Sequence, residues 1–331
     1  MLGTRKKVDD IRCWPVELPD LNRELNTLLE QIPAKKVTTY GALAQALGHA
    51  PAAVWIAKTL TSGAHENGFR VIRSTGEVPQ RDPGLYQQTA MLLLADGIDI
   101  DAGHVDLARY GFTDFRATQP LAKLKIYQDE IASRVDIQPL TSMPRCVAGL
   151  DLSYPTPDLA VAACVLVDYP AGNVLKTFYA TQPVTFPYIT GLLAFREIPA
   201  LLQVVRAVLA AGDAVDVWLV DGNGILHPRG AGIAVQLGVM LGLPTVGVSK
   251  SLLCGAVDLE SITPNAPQPI AHNAKVVGMG VKSQAHSRPI FVSPGNGIDV
   301  AQATEIVQRL CQDHRLPEPI YWADRLSREH G

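Results

Sequence analysis

Apolar and polar positions follow two different patterns along the chain, and the change comes near residue 118. Before it, residues 20–31 have helical spacing, and residues 38–48 are typical of a short capped helix that ends at glycine. Pro51 suits the first turn of a second helix, and residues 52–61 continue it with good helix formers. The tight turn at residues 48–50 makes these two helices a helix-turn-helix candidate.

Beyond residue 118, short β-branched runs alternate with helical segments. Gly172-Asn173 separates two of these runs in the manner of a hairpin. The pattern predicts a mixed sheet with helices on its faces, preceded by a small helical, winged-helix-like domain. We therefore predict two domains, residues 1–117 and 118–331. The expected elements of the second are helices at 121–135, 198–211, 230–241 and 300–311, and strands at 147–153, 160–168, 174–184, 215–220, 245–248, 276–281 and 289–293.

Composition adds limits on compartment and partners. The chain has 331 residues, 47% of them hydrophobic, which is enough for two cores. Its net charge of -3 provides no basic arm, so any nucleic-acid contact must come from a few well-placed cations and backbone N–H groups. Five scattered cysteines without a CxxC pair favour a reducing cytoplasm over a disulfide or zinc framework. No apolar run approaches the ~18 residues of a membrane span, so we expect a cytoplasmic protein with no membrane partner.

Three carboxylates are placed where they would meet. Asp151 and Asp221 each end an apolar run, and neighbouring strands would bring the two side chains together. Aspartate also caps strands in turns, which is the alternative for either one alone. Glu197 follows a rigid turn at residues 187–191. Such a cluster repels itself unless it holds a hard cation, and Mg²⁺ bound by carboxylates and phosphate oxygens is a common means of cutting phosphodiesters.

The surroundings of Asp221 suit a phosphate. The Gly-rich stretch at residues 221–230 leads into a helix, so its backbone N–H groups can approach an anion. His227 within it would orient a phosphate or protonate a leaving group, or it simply caps the helix. Lys250 follows another apolar run and would place positive charge beside a pentavalent phosphate, unless it is an ordinary solvated lysine. Tyr188 is either core filler or a platform on which bases stack.

At residues 148–154, 186–197, 220–229 and 247–255 the chain resembles endonuclease V, motif by motif and in order, within about residues 118–331. The resemblance implies an RNase H-like fold and a Mg²⁺- or Mn²⁺-dependent nuclease. It further implies recognition of deoxyinosine, the product of adenine deamination, and cleavage at the second phosphodiester on its 3′ side.

The same resemblance implies roles for the residues above. Asp151 and Asp221 would hold the metal, with Glu197 beside them as the third metal residue. His227 and Lys250 would attend the scissile phosphate and the attacking water.

Two further positions carry expectations from the family. Tyr188, with Pro187, would be the wedge that fills the space left by the extruded lesion. Where the family usually has histidine, the chain has Asn296. Asparagine cannot take up a proton, so we expect reduced or altered metal preference rather than an inactive site.

The first domain resembles the DNA-binding domain of O6-alkylguanine-DNA alkyltransferases and their alkyltransferase-like relatives, on residues 32–48, 69–72 and 91–110. The family's acceptor motif is Pro-Cys-His-Arg. Gly68 stands here in place of the cysteine nucleophile and Phe69 in place of the histidine that activates it. Without a thiolate there is no alkyl acceptor, so alkyl transfer is excluded for this domain.

Tyr40 and Arg70 remain at positions that match DNA-contacting residues of that family. The domain would then grip DNA without chemistry, or it is a remnant that only stabilises the fold. Together the two domains predict a DNA repair endonuclease whose partner is DNA with deaminated purines. The alternatives are an endoribonuclease specific for inosine in RNA and a non-catalytic protein that senses lesions. The sequence indicates no protein partner.

Overall fold

This computed structural model describes residues 16–62, 65–80 and 83–331. The chain divides into two compact units. The smaller consists of Leu18–Ile126 and Phe186–Leu192, and the larger contains Tyr127–Thr185 and Leu193–Gly331. The boundary expected at residue 117 stays a prediction. None of the helices within the described ranges is long and apolar enough to cross a bilayer.

The smaller unit is mainly helical, as the sequence predicts. The two short strands, β1 and β2, pair in parallel. The expected helix-turn-helix is present as α2, a 3₁₀ turn and α3. The bounds of the elements are α1 (Leu21–Glu30), β1 (Thr38–Thr39), α2 (Tyr40–Ala46), the 3₁₀ turn (Ala50–Ala52), α3 (Ala53–Ser62), β2 (Val71–Ile72), α4 (Pro83–Ala95), α5 (Leu107–Tyr110) and the start of α6 (Pro120–Ala132).

The turn between α2 and α3 depends on its ends. Thr39 caps α2, because its hydroxyl accepts a hydrogen bond from the Ala42 N–H. Gly48 has a φ of +94°, and a Cβ there would lie 2.7 Å from the backbone nitrogen of Ala122. Only glycine meets both conditions, so the chain can turn sharply against the start of α6.

The larger unit is built on an eight-stranded sheet in the order β5-β4-β3-β6-β7-β10-β9-β8. The central strands β3, β6 and β7 are parallel, and the outer pairs are antiparallel. The predicted hairpin β4–β5 is confirmed. The bounds are β3 (Cys146–Thr156), β4 (Leu159–Asp168), β5 (Val174–Pro183), α7 (Leu193–Ala210), β6 (Val217–Asp221), α8 (Ile233–Leu241), β7 (Thr245–Ser249), β8 (Gln268–His272), β9 (Lys275–Val281), β10 (Ile290–Asn296), α9 (Val300–Leu310) and α10 (Glu318–Glu329).

Helices cover both faces of the sheet. Alternate residues of the central strands point to opposite faces, so Leu150 and Val220 pack in one apolar cluster with α7 and α8. Val147 and Leu219 pack in the other, which also takes side chains of α9 and α10. The sequence prediction lacked α10 and β8, because α10 begins between two prolines and β8 is interrupted by one.

Close backbone packing fixes α10 on the sheet. A Cβ on Gly149 of β3 would lie 2.2 Å from the carbonyl carbon of Pro319 in the first turn of α10. The β3 backbone cannot easily shift, since it is paired on both sides.

We therefore expect Gly149→Ala to destabilise the larger unit by at least the ~1–3 kcal/mol typical of overpacking, measured by urea unfolding. Gly41→Ala is the control, because a Cβ at Gly41 of α2 meets nothing closer than 3.8 Å. Equal unfolding free energies for the two variants would contradict this view of α10.

Candidate active site

Strand pairing brings Asp151 and Asp221 side by side. Leu150 of β3 lies opposite Val220 of β6 in a parallel ladder, and each aspartate is the next residue of its strand. The two aspartates therefore meet as predicted, but only Asp221 ends its strand, since β3 continues past Asp151 to Thr156. Asp151 is buried; its Oδ1 accepts a hydrogen bond from the Leu152 N–H at 2.7 Å. Its Oδ2 is also buried and has no hydrogen-bond partner among the described residues.

Burial disfavours the charged forms of Asp151 and Glu197. It raises the pKa of Asp151 well above its usual range, and the negative charge of Asp221 raises it further. Glu197 on α7 behaves likewise: burial, helped by the charge of Asp221, raises its pKa from 4.5 to about 7. The Tyr154 hydroxyl, which donates to Glu197 Oε1 at 3.2 Å, opposes that rise. The centre therefore favours protons or cations over bare negative charge.

Lys250 supplies positive charge at this point. Its Nζ lies 2.6 Å from Asp221 Oδ2, directly after the end of β7. Although burial opposes it, the charges of Asp221 and Asp151 raise the pKa of Lys250. The predicted lysine is thus a protonated partner of the carboxylates and not an ordinary solvated side chain.

Asp324 is a site residue that the sequence reasoning missed. It lies on α10, 3.7 Å from Lys250 Nζ and 2.8 Å from Arg328 Nη2, and its charge also raises the pKa of Asp151. The amphipathic pattern after Pro317 is the sequence signal that could have revealed this helix. Asp324 stands out within it as an acidic residue next to the buried Ala323.

The loop after β6 fixes the orientation of His227. The histidine is buried, and its Nδ1 accepts hydrogen bonds from the backbone N–H groups of Arg229, at 3.2 Å, and Ala231, at 3.4 Å. An Nδ1 atom that accepts cannot carry the ring proton, so the neutral ring is protonated at Nε2. The N–H donor of the ring is therefore at Nε2.

The donor set fits a divalent metal ion. Carboxylate oxygens are the ligands that Mg²⁺ and Mn²⁺ prefer, and the buried Oδ2 of Asp151 lacks any other partner within the described part of the chain. Residues 16–62, 65–80 and 83–331 contain no group of three or more His, Cys, Asp or Glu that would hold a metal by itself. Asp151 and Asp221 would hold the ion together with phosphate oxygens, and the charge of Asp221 also acts on Glu197.

Comparison with known proteins matches both parts of the chain. Residues 129–325 match the family model of endonuclease V, and residues 20–97 match the 6-O-methylguanine DNA methyltransferase DNA-binding domain. The endonuclease V of Rippkaea orientalis is 36% identical over 220 residues, which is 66% of this chain and 94% of that protein. The chain belongs to the endonuclease V family.

Solved structures of endonuclease V have the same fold. The catalytic domain of the human protein matches with a TM-score of 0.60 and 31% identity, over 65% of this chain and 97% of that one. Endonuclease V of Ciona intestinalis, solved with a 24mer DNA containing an inosine followed by a ribo-adenosine, matches with a TM-score of 0.58 and 28% identity, over 63% and 97%. The predicted fold is thereby confirmed, and the family identifies the chain as a nuclease.

The expected wedge of the endonuclease V part lies in the segment Phe186–Leu192. Phe186 and Ile189 are each 1% exposed and anchor the segment, whereas Tyr188 between them is 63% exposed. His49 Nε2 donates to the Thr190 carbonyl at 2.9 Å. Tyr188 is therefore not core filler, and its ring is presented for stacking next to Pro187.

Asn296, where the endonuclease V family usually has histidine, lies away from the carboxylates. It pairs with Thr245 at the start of β7, whereas Asp221 pairs with Val248 three residues further on, about 10 Å along the strand. Its Oδ1 accepts from the Asp136 N–H at 3.1 Å, and its Nδ2 donates to the Leu243 carbonyl at 3.3 Å. Asn296 is thus a buried residue that links three backbone segments, and the expectation of altered metal preference stays a prediction.

The methyltransferase-like unit has an open cavity of about 610 Å³ whose lining includes Tyr40 and Gly68. Gly68 provides no nucleophile to this cavity. Arg70 is placed differently from our expectation. Its Nε and Nη2 both bind the Asp96 carboxylate at 2.9 Å, and its side chain is only 12% exposed. We correct its predicted DNA contact to a structural ion pair.

The raised pKa values give a prediction for pH. Because the folded state holds the proton on Glu197 more tightly than the unfolded chain does, its stabilising effect is complete below about pH 4.5 and is lost as pH rises through about 7. We expect the unfolding free energy of the metal-free protein to fall over this range and Mg²⁺ to restore it above pH 7. Urea unfolding across pH measures both effects.

Glu197→Gln is the control for this titration, because the amide carries no charge at any pH. The variant should show a smaller fall between about pH 5 and about pH 8 than the wild type. Identical profiles for the two proteins would show that Glu197 does not titrate in this range.

Proposed function

We propose that the chain is a DNA repair endonuclease that recognises deoxyinosine and hydrolyses the second phosphodiester on its 3′ side, with Mg²⁺ or Mn²⁺. The observation that carries the proposal is the convergence of three side chains from adjacent parallel strands: Asp151 within β3, Asp221 at the end of β6 and Lys250 just after the end of β7. The inosine-containing DNA held by the Ciona intestinalis endonuclease V supports the choice of lesion.

Each residue of the candidate site has its own role in the proposed cleavage. Asp151 and Asp221 hold the ion, which when bound supplies Lewis acidity to the phosphate and a more acidic water. Lys250, already paired with Asp221, offers its ammonium to the negative charge that builds up on the phosphate. His227 donates from Nε2 to a phosphate oxygen, because its Nδ1 is occupied. Glu197 would act as the third metal residue and, once ionised above about pH 7, would add negative charge to the centre.

Lesion recognition rests on Tyr188. An exposed aromatic ring on an anchored segment stacks on bases and fills the gap that an extruded nucleotide leaves. The methyltransferase-like unit contributes affinity for DNA and no alkyl transfer, since Gly68 provides no nucleophile. Its helix-turn-helix, with Tyr40 at the start of α2, raises the local concentration of the nuclease at DNA.

The deciding assay uses a labelled duplex with one deoxyinosine and Mg²⁺. We expect the wild type to nick it and Asp221→Asn to lose on the order of 10³-fold in rate, as one metal ligand and the partner of Lys250 are lost. Asp114→Asn, the same change at an exposed position of the smaller unit, should keep full activity.

Other outcomes point to other functions. A wild type that binds the duplex without nicking it would be a lesion sensor. Preferential cleavage of an inosine-containing RNA strand would make the chain a ribonuclease. Either result would overturn the proposal.

A second prediction concerns Tyr188. In the Asp221→Asn background, which does not cut, Tyr188→Ala should weaken binding to the deoxyinosine duplex by about tenfold, since stacking contributes ~1–3 kcal/mol per base. Tyr188→Phe should retain the affinity because the ring is kept. Fluorescence anisotropy with undamaged duplex as the reference measures this. An equal loss of affinity for damaged and undamaged DNA would refute a role in lesion recognition.

A further inference from the structure

The loop that carries His227 is held on two sides by buried glutamines. Gln128 of α6 is 1% exposed and Gln236 of α8 is 0% exposed. We refer to this pair as the carboxamide clamp. Glutamine is rarely this deeply buried, because each unsatisfied amide atom costs free energy. The endonuclease V motifs discussed above do not include either residue.

The carboxamide clamp acts on the two residues that orient His227. Gln128 Oε1 accepts from both Nε and Nη2 of Arg229, at 2.8 and 2.5 Å. Gln236 Nε2 donates to the carbonyl of Ala231 at 2.8 Å. The N–H groups of these same two residues, Arg229 and Ala231, donate to His227 Nδ1. Each glutamine is therefore linked to the His227 imidazole through one intervening residue, Arg229 for Gln128 and Ala231 for Gln236.

The intervening backbone needs such support. Gly230 has a φ of +63° and lies between the two donors, so the segment is a sharp turn outside any helix or strand. Both donor distances, 3.2 and 3.4 Å, are at the long end of the usual range, so a small shift of the turn would break them. Gln128 opposes such a shift because it binds the Arg229 guanidinium through two hydrogen bonds to one oxygen.

We infer that Gln128 is a positioning residue for phosphodiester cleavage: through Arg229 it keeps backbone N–H donors on His227 Nδ1, and so keeps the ring proton on Nε2. The role in cleavage rests on the proposed function, in which His227 Nε2–H donates to the scissile phosphate. The role in setting the tautomer does not depend on the proposed function.

The tautomer is tested directly by ¹⁵N NMR of histidine-labelled protein. In the wild type the His227 Nδ1 signal should be that of an unprotonated nitrogen and the Nε2 signal that of a protonated one. Gln128→Met, similar in size but without an acceptor, should give a mixture of tautomers. Gln128→Glu keeps the acceptor and should preserve the wild-type pattern. An unchanged tautomer in Gln128→Met overturns the inference.

The matched control is Gln302→Met. Gln302 on α9 also makes side-chain hydrogen bonds to backbone, to the N–H and carbonyl of Leu140, but has no contact in the His227 loop. It should lower the unfolding free energy without changing the His227 spectrum. If Gln128→Met does not fold, Arg229→Met removes the other partner of the same contact, and a wild-type tautomer in that variant would equally overturn the inference.

Kinetics test the consequence for catalysis. Gln128→Met should lower kcat by about tenfold, as expected for a displaced proton donor, with KM changed less than about twofold. In a His227→Ala background the same substitution should cost less than about twofold, because there is no imidazole left to position. Equal losses in both backgrounds would show a merely structural role.

Different results would contradict the proposed function and the positioning role of Gln128. If the wild type does not nick deoxyinosine DNA, the proposed function is wrong, while the NMR comparison still decides whether Gln128 sets the tautomer. If nicking occurs but the tautomer and the kcat of Gln128→Met are unchanged, only the positioning inference is wrong.

Discussion

The parallel pairing of β3 with β6 is the constraint on which the rest of the site depends. It places two carboxylates, Asp151 and Asp221, on adjacent strands at the same level, where they repel each other and lose solvent. Such a pair is stable only if protons or cations offset its charge. Lys250 provides one cation from within the fold, and the buried Oδ2 of Asp151 leaves a coordination position for another. The site is therefore suited to bind a cation next to Lys250.

Much of this arrangement could be predicted from sequence, because strand ends are local features. Apolar runs that stop at Asp151, Asp221 and just before Lys250 indicate both the strands and their functional edge. Asp324 escaped prediction, since its helix starts between prolines and reaches the site only through tertiary packing against Gly149. Arg70 was misassigned for a similar reason: its partner Asp96 is 26 residues away, and no periodicity links them.

The two units differ in the functional residues that they contain. The smaller keeps the helix-turn-helix and a cavity of its methyltransferase-like family, but its acceptor position is Gly68 and its matching arginine is tied into an ion pair. The larger brings Asp151, Asp221 and Lys250 together on the central strands of its sheet. The candidate catalytic residues thus lie in the endonuclease V part of the chain.

The most direct test of the central claim is anomalous diffraction from crystals soaked in Mn²⁺. We expect an anomalous peak within coordination distance of both Asp151 and Asp221, and loss of that peak in Asp151→Asn, which retains the size of the side chain but loses its charge. A peak elsewhere, or one that persists unchanged in the variant, would contradict a metal site formed by Asp151 and Asp221 on the paired strands β3 and β6.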